Sequence, residues 1–293
     1  MRVTQSMLSN NMMRNLSNSY NKMGKLQEQL TTKKKINRPS DDPVVAFKGI
    51  GYRTDLGKVE QFTRNISEAN NWLDNSDAAL DHVGDIVKRV KELVVDAAND
   101  SKTDDDRLKI KAEIDTLREQ LQSISNTKVG DKYIFNGTNT LTPVFSNGSF
   151  SQSPGRDNDV NIEIFDGVKL TVNTQGAVDM FTDLDNMMAN ISNELAANPS
   201  SGATIGNLLG DVDEQFGVVL EKRAELGARQ NRAELMENRL AIQEVSTKKI
   251  MSENEDVDYE KAITDLITEE TVHRAALSVG SRIIQPTLVD FLR

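Results

Sequence analysis

Few residues in this chain have the types and spacings that chemistry needs. Histidine occurs only at His82 and His273. They are far apart and lack a neighbouring acid–histidine motif, so they offer neither a zinc-ligand spacing nor an oriented general base. A solvent-facing or interfacial helix histidine is the plainer role for each. Cysteine is absent, which removes disulfides and thiolate metal sites and suits an exported protein as well as a cytosolic one. Asp104-Asp105-Asp106 could hold a cation, but calcium loops alternate their ligands and bend at a glycine. Three aspartates after Thr103 suit a helix start, where negative charge meets the helix dipole. Asp41-Asp42 reads the same way at the preceding helix. Lys33-Lys34-Lys35 could touch nucleic acid or an anionic surface; as a helix end its charges complement the dipole, and a solvated end is the reading adopted. No Gly-rich phosphate loop, Gly-x-Ser-x-Gly elbow or Walker signature occurs in the sequence. The expectation is a non-enzyme with no catalytic residue, metal or cofactor.

The elements that would position such residues are long helices. Val59, Ile66, Leu73, Leu80, Val87 and Val94 step by seven, and so do Ile205, Val212, Val219, Leu226, Ala233 and Leu240. A seven-residue step returns to nearly one helix face, so each ladder is a packing seam. Beside the first runs Phe62, Ala69, Ser76, Val83, Val90 and Ala97, offset by three as in an a/d pattern. The matching offset positions of the second ladder are Phe216, Arg223, Gln230 and Glu237, so part of its face is expected to await a neighbouring subunit. The expected fold is mainly α: a long antiparallel helical coiled-coil rod built from both chain ends, with a small β-rich module inserted at the tip.

Composition agrees. Hydrophobic residues make up 37% and aromatics 5%, which suits thin helical seams of Val, Leu, Ile and Ala. The net charge of −10 argues against nucleic acid as a partner. No run approaches a membrane span, so no membrane role is expected. The first residues show no apolar leader core, and any export would use a route without a cleaved signal peptide. Residues 1–45 are basic and residues 253–293 acidic, as expected if the ends lie side by side.

Along the chain, Met12, Leu16, Tyr20, Met23, Leu26 and Leu30 predict a helix over residues 4–35. Pro39 and Pro43 break it, and Asp42 with Pro43 reads as an N-cap and first helical residue. A helix then spans 43–98, about 85 Å long. Residues 99–106 turn, and Ile110, Ile114, Leu117, Leu121 and Ile124 predict a helix folding back antiparallel. The character changes at Gly130. Residues 137–177 read as a small β module with a hairpin turn at Asp166-Gly167. Helix returns over 178–197, breaks at 198–202, and resumes for some 45 residues to about Glu255. Asp256 opens a last helix, where Tyr259, Ile263, Leu266, Leu277, Ile284, Leu288 and Phe291 share a drifting face and Pro286 kinks the end. The division is thus 1–42 with 254–293 as paired terminal helices, 43–136 with 178–253 as the rod, and 137–177 as the module.

Several motifs carry a resemblance. Ile36-Asn37-Arg38-Pro39-Ser40-Asp41-Asp42-Pro43, Gly130-Asp131-Lys132-Tyr133-Ile134-Phe135-Asn136-Gly137 with Pro143-Val144-Phe145, Arg223-Ala224-Glu225-Leu226-Gly227-Ala228-Arg229-Gln230-Asn231-Arg232, Glu255-Asp256-Val257-Asp258 and Leu288-Val289-Asp290-Phe291-Leu292-Arg293 resemble segments of the flagellin family of the bacterial flagellum, and within it the subunits of the hook–filament junction. Thr31-Thr32-Lys33-Lys34-Lys35 departs from the family, which often has serine-glycine before a basic residue there.

The resemblance implies a structural adaptor of bacterial motility. Its implied partners are its own copies in a ring, the first hook-associated protein, flagellin, and a cytoplasmic export chaperone; it implies export by flagellar type III secretion to an extracellular place in the flagellum. A short filament flagellin and a cytoplasmic coiled-coil binding protein are the alternatives. The terminal helices order on assembly in this reading, and their narrow apolar stripes agree. The expected assembly contacts are Leu16, Met23, Leu30, Ile36, Asn37, Arg38, Pro39, Asp41, Asp42, Pro43, Ile263, Leu266, Leu277, Ile284, Leu288 and Phe291.

Overall fold

A computed structural model describes residues 5–99, 101–197 and 202–283. It is mainly helical: α1 (Gln5–Thr32), α2 (Pro43–Ala97), α3 (Asp104–Ser125), α4 (Ala177–Ala196), α5 (Gly202–Asn207), α6 (Leu209–Glu255) and α7 (Tyr259–Ile283). Between α3 and α4 lie six short strands, β1 (Lys128–Val129), β2 (Lys132–Tyr133), β3 (Phe145–Ser146), β4 (Ser149–Phe150), β5 (Asn161–Phe165) and β6 (Val168–Thr171), paired as three antiparallel hairpins. Of the expected break at 198–202, residues 198–201 lie outside the described residues, as do Pro286 and the predicted contacts Ile284, Leu288 and Phe291, while Gly202 already opens α5. The chain forms two compact units, residues 1–58 with 243–293 and residues 59–242, the division falling within α2 and α6.

In the 59–242 unit every rung of both seven-step ladders is buried, and all belong to one apolar core. Ile205 alone sits apart on the short α5, ahead of α6. The helices α2 and α6 run antiparallel. Their polar offset rungs are not left for another subunit. Arg223 bonds Asp77 at 3.2 Å and Asp81 at 2.5 Å, Gln230 donates to Asp74, and Asn70 donates to Glu237. These pairs flank a dry seam with a polar border, as charged e and g positions flank an a/d core.

The return of α3 is locked by a residue no spacing revealed. Arg107 is buried; its Nε donates to the carbonyl of Ala97 at 3.1 Å and its Nη2 to that of Asn99. A guanidinium thus serves the orphan carbonyls at the end of α2. Thr103 caps α3 in a reciprocal box with Asp106, so the three aspartates do the helix-start work assigned to them. On the next interface Arg118 grips the buried Asp185 of α4 through two bonds of 2.7 and 2.6 Å, and Ser192 donates to Asp115.

The β segments are not a separate core. Ile134, Phe135, Val144, Phe150, Ile164, Leu170 and Val172 are buried with the helices, and the Phe135 ring meets Phe181 of α4 edge-on at 5.1 Å. Strand pairing starts at Lys128, and Gly130, at φ 60°, turns β1 into β2. Gly137 is at φ 54°, and a Cβ there would strike the carbonyls of Gly155 and Arg156, so the Asn136-Gly137 pair is a packing motif. The β5–β6 hairpin turns at Asp166-Gly167 as read. Its end is tied to α6 by Arg229, which donates to the carbonyl of Asn173 at 2.6 Å.

Candidate assembly surface and the clasp beneath it

The chain ends meet in the unit of residues 1–58 and 243–293. There α1 and α7 pair antiparallel, with Ser19 and Lys22 on Glu269 and Tyr20 beside His273. Met12, Leu16, Ser19, Met23, Leu26 and Leu30 face this pairing, at alternating steps of four and three, against Ala262, Leu266, Glu269, His273, Ala276 and Gly280. This is an a/d register. Most of its rungs stay half-buried, as two helices alone cannot enclose a seam.

Four predicted contacts, Leu16, Met23, Leu30 and Leu266, therefore lie on the α1–α7 seam. Ile263 and Leu277 point outward and are exposed. The drifting face read for the last helix is two faces, because Tyr259, Ile263 and Leu277 lie off the seam. Tyr20, placed on the α1 stripe by its spacing, is exposed as well.

Beneath the pair is a clasp. Helix α1 ends at Thr32, and Lys33 takes the left-handed conformation, φ 62°. That turns the chain so that Lys34 forms an antiparallel bridge with Asp256. The amide of Lys35 donates to the Glu255 carbonyl at 2.6 Å, and the amide of Val257 to the Lys33 carbonyl at 3.1 Å. The Lys34 ammonium sits 2.7 Å from Asp256 and 3.5 Å from Glu255. The lysine run is thus a tether, not a solvated helix end. The Glu255 side chain is 3% exposed and meets Arg53 at 2.6 Å. Gly49 faces it, leaving no room for a Cβ. Asn254 adds a bond to the carbonyl of Val45 at 3.0 Å. The Asp256 carboxyl is held below its usual range by Lys34 and then Ser252, and Lys34 is raised in turn by Asp256. Last, it is Asp258, and not Asp256, that caps α7, accepting from the amide of Lys261.

A left-handed lysine is strained where glycine is not, because its Cβ crowds the following carbonyl. Lys33→Gly is therefore expected to stabilise this unit by about 1 kcal/mol, read as slower hydrogen exchange in the last turn of α1.

The segment from Ile36 to Pro43 is a built turn. The Asp41 carboxylate accepts from the amides of Asn37 and Arg38 and is paired with Lys25 at 3.0 Å. That Lys25 bond, and next the Arg38 amide, lower its pKa. Asp42 accepts from the amides of Val44 and Val45 at 3.0 and 3.1 Å, capping α2 as its spacing indicated, with Pro43 the first helical residue. Ile36, Asn37 and Asp42 are partly covered; Arg38, Pro39 and Pro43 are exposed. Just beyond, Val44, Phe47 and Ile50 form an exposed apolar row, with Phe47 80% exposed. Sequence reading passed over this row, although its signal was present: all three residues fall off both α2 ladders. Among the described residues no group of acids and histidines could hold a metal ion, and no helix is long and apolar enough to cross a membrane.

The arrangement is two terminal helices clasped at their base, with apolar residues exposed on α2 and α7. Comparison with known proteins gives it a family. The models of the bacterial flagellin N-terminal and C-terminal helical regions match residues 3–140 and 209–292. The chain belongs to the bacterial flagellin family. It is thus a structural protein of the flagellum. Flagellar hook-associated protein 3 of Escherichia coli is 26% identical over 94% of this chain and 95% of its own length. A flagellin of Bacillus subtilis is 28% identical over 94% of each. Among solved structures, the flagellar junction protein FlgL of Legionella pneumophila superposes with a TM-score of 0.56 at 16% identity, covering 70% of this chain and all of that one. In this flagellin-family chain the helical-region matches take in the first ladder, the second from Val212 onward, the proline turn and the clasp.

Proposed function

We propose that this chain is the adaptor subunit that joins the flagellar hook, through the first hook-associated protein, to the flagellin filament, as a ring of its own copies. The observation that carries the assembly reading is the half-buried α1–α7 seam, with Ile263 and Leu277 exposed on α7 and Phe47 exposed near the start of α2. Exposed large apolar side chains that cluster mark an interaction site. The junction position is supported by the end-to-end match to hook-associated protein 3 and by the proline-bearing turn of residues 36–43. Export through the flagellar type III channel and a cytoplasmic chaperone belong to the same reading. The residues outside the described segments at the C-terminus, Ile284, Leu288 and Phe291 among them, belong to the proposed contact set with the residues of the turn.

Deleting the gene tests it: cells should lose attached filaments and shed flagellin, and full-length attached filaments in the deletion strain would sink the reading. A short filament flagellin is the second reading, favoured by the match to the Bacillus subtilis flagellin. Long filaments grown from purified protein alone would select it.

Pro39 and Pro43 let α1 and α2 take different directions. The double variant Pro39→Ala, Pro43→Ala is expected to leave the thermal transition nearly unchanged, since both side chains are exposed. It should remove most attached filaments when it is the only copy in the cell. Wild-type filament counts by electron microscopy would refute this role for the turn.

A further inference from the structure

The sequence holds two Asn-Gly pairs, Asn136-Gly137 and Asn147-Gly148, and the fold treats them in opposite ways. Asn136 is fully buried. Its Nδ2 donates to the carbonyl and hydroxyl of Thr142, each at 3.0 Å, and Gly137 is pressed against the carbonyls of Gly155 and Arg156. Asn147-Gly148 is the entire loop of the β3–β4 hairpin, whose register pairs Ser146 with Ser149 and Phe145 with Phe150. Both loop residues have positive φ, 51° and 77°, the two-residue turn that suits a hairpin's twist. Residues 146–149 are all exposed, and a Cβ on Gly148 would meet nothing.

We propose that Asn147 is a site of spontaneous backbone-assisted deamidation, with solvent water as the only co-reactant. The amide nitrogen of Gly148 loses its proton and bonds to Cγ of Asn147. The Cγ–Nδ2 bond breaks and, with a proton from solvent, ammonia leaves, closing a five-membered succinimide. Water then opens that ring at either carbonyl, giving aspartate or isoaspartate; nothing is oxidised or reduced. Glycine after the asparagine favours the attack, since no side chain shields its nitrogen.

The reaction runs through local opening of the turn, which frees Asn147 and Gly148 from their hairpin conformation. Opening is cheap at this tip, because a hairpin of two residue pairs has little stability of its own. The base of the hairpin stays fixed: Asn126 accepts from the amides of Val144 and Phe145 and donates to the Phe145 carbonyl, and Phe150 is buried. For Asn136 the same opening must break core packing and both Thr142 bonds, and it is correspondingly rare.

Each product places a new carboxylate on the tip. Isoaspartate also lengthens the main chain inside a loop that has room for two residues, so the Ser146–Ser149 pairing is lost while the Phe145–Phe150 ring contact stays anchored. Subunits of different age then differ at this tip in charge and shape.

The test incubates the folded, full-length protein at mildly alkaline pH, digests samples over time and follows the peptides carrying Asn147 and Asn136 by mass spectrometry. A parallel sample in denaturant sets the intrinsic rates. The expected result is conversion at Asn147 to two chromatographically separate products with the mass of an acid in place of an amide, while Asn136 stays amidated until the chain is unfolded. Gly148→Ala should slow conversion several-fold in folded and denatured samples alike. An Asn147 that remains amidated in the folded protein throughout the time in which the denatured chain converts would overturn the proposal, as would equal rates at Asn147 and Asn136 in the folded state.

Discussion

Replacing Phe135 by alanine is expected to lower the stability of the 59–242 unit by about 3–5 kcal/mol. Its ring is fully buried and meets Phe181 at 5.1 Å and 68°, an edge-on contact that adds to the area it buries. The neighbours cannot close over the gap. Ile134 and Val144 hang from short strands, and Gly137 is fixed by the carbonyls it touches. Phe145→Ala is the control, because Phe145 is only partly buried and packs from the rim; its cost should be clearly smaller. Urea unfolding followed by the fluorescence of Trp72, in the same core, measures both. Equal costs would mean that the β segments do not share the helical core.

The clasp supplies the second prediction, and its sign is unusual. Arg53→Ala should destabilise the unit of the chain ends by about 1–3 kcal/mol, more than Glu255→Ala does. Glu255 is 3% exposed, whereas Arg53 is 62% exposed. Removing the arginine leaves a buried carboxylate whose other cationic partner is Lys34, at 3.5 Å; removing the glutamate lets both cations return to water. Hydrogen exchange in α7 reads the difference, and a costlier Glu255→Ala would show that the carboxylate is a net gain in itself. The neighbouring Lys34–Asp256 pair adds a pH dependence. Asp256 is lowered in the folded state, so its contribution is present above the unfolded carboxylate value and is lost as pH falls through the lowered one. Lys34 is raised, so its contribution holds below the unfolded lysine value and is lost as pH rises through the raised one. The clasp should be tightest across the wide neutral range between them.

What could be read from the residues, and what could not, follows from how each feature is encoded. The ladders were legible because a seven-residue period is a property of one helix, and every rung is buried. The cap at Asp42 and the acidic helix start at Asp104–Asp106 were legible because their partners lie within three residues. Arg223, Gln230 and Glu237 were misread as surface kept for a neighbour because their partners, Asp77, Asp74 and Asn70, are over 140 residues away. Arg107 and Glu255 were invisible for the same reason: a charge can be buried only where a distant backbone or counter-ion receives it. Among the proposed contact residues, those of α1 and α7 sorted into seam and exterior only once the partner helix was in place.

The bond between Ser19 and Glu269 spans 250 residues, which sets an order of events in folding. Closing a loop of that length directly costs several kcal/mol of chain entropy before any contact repays it, and the polar rungs Ser19, Glu269 and His273 repay little. The 59–242 unit shortens the search. Phe62 and Arg239 both pack on the ring of Phe165, so once that unit has formed, the two arms leading to α1 and α7 start from one place. The ends should therefore join last and part first, with pairing rates that follow the folding of the middle.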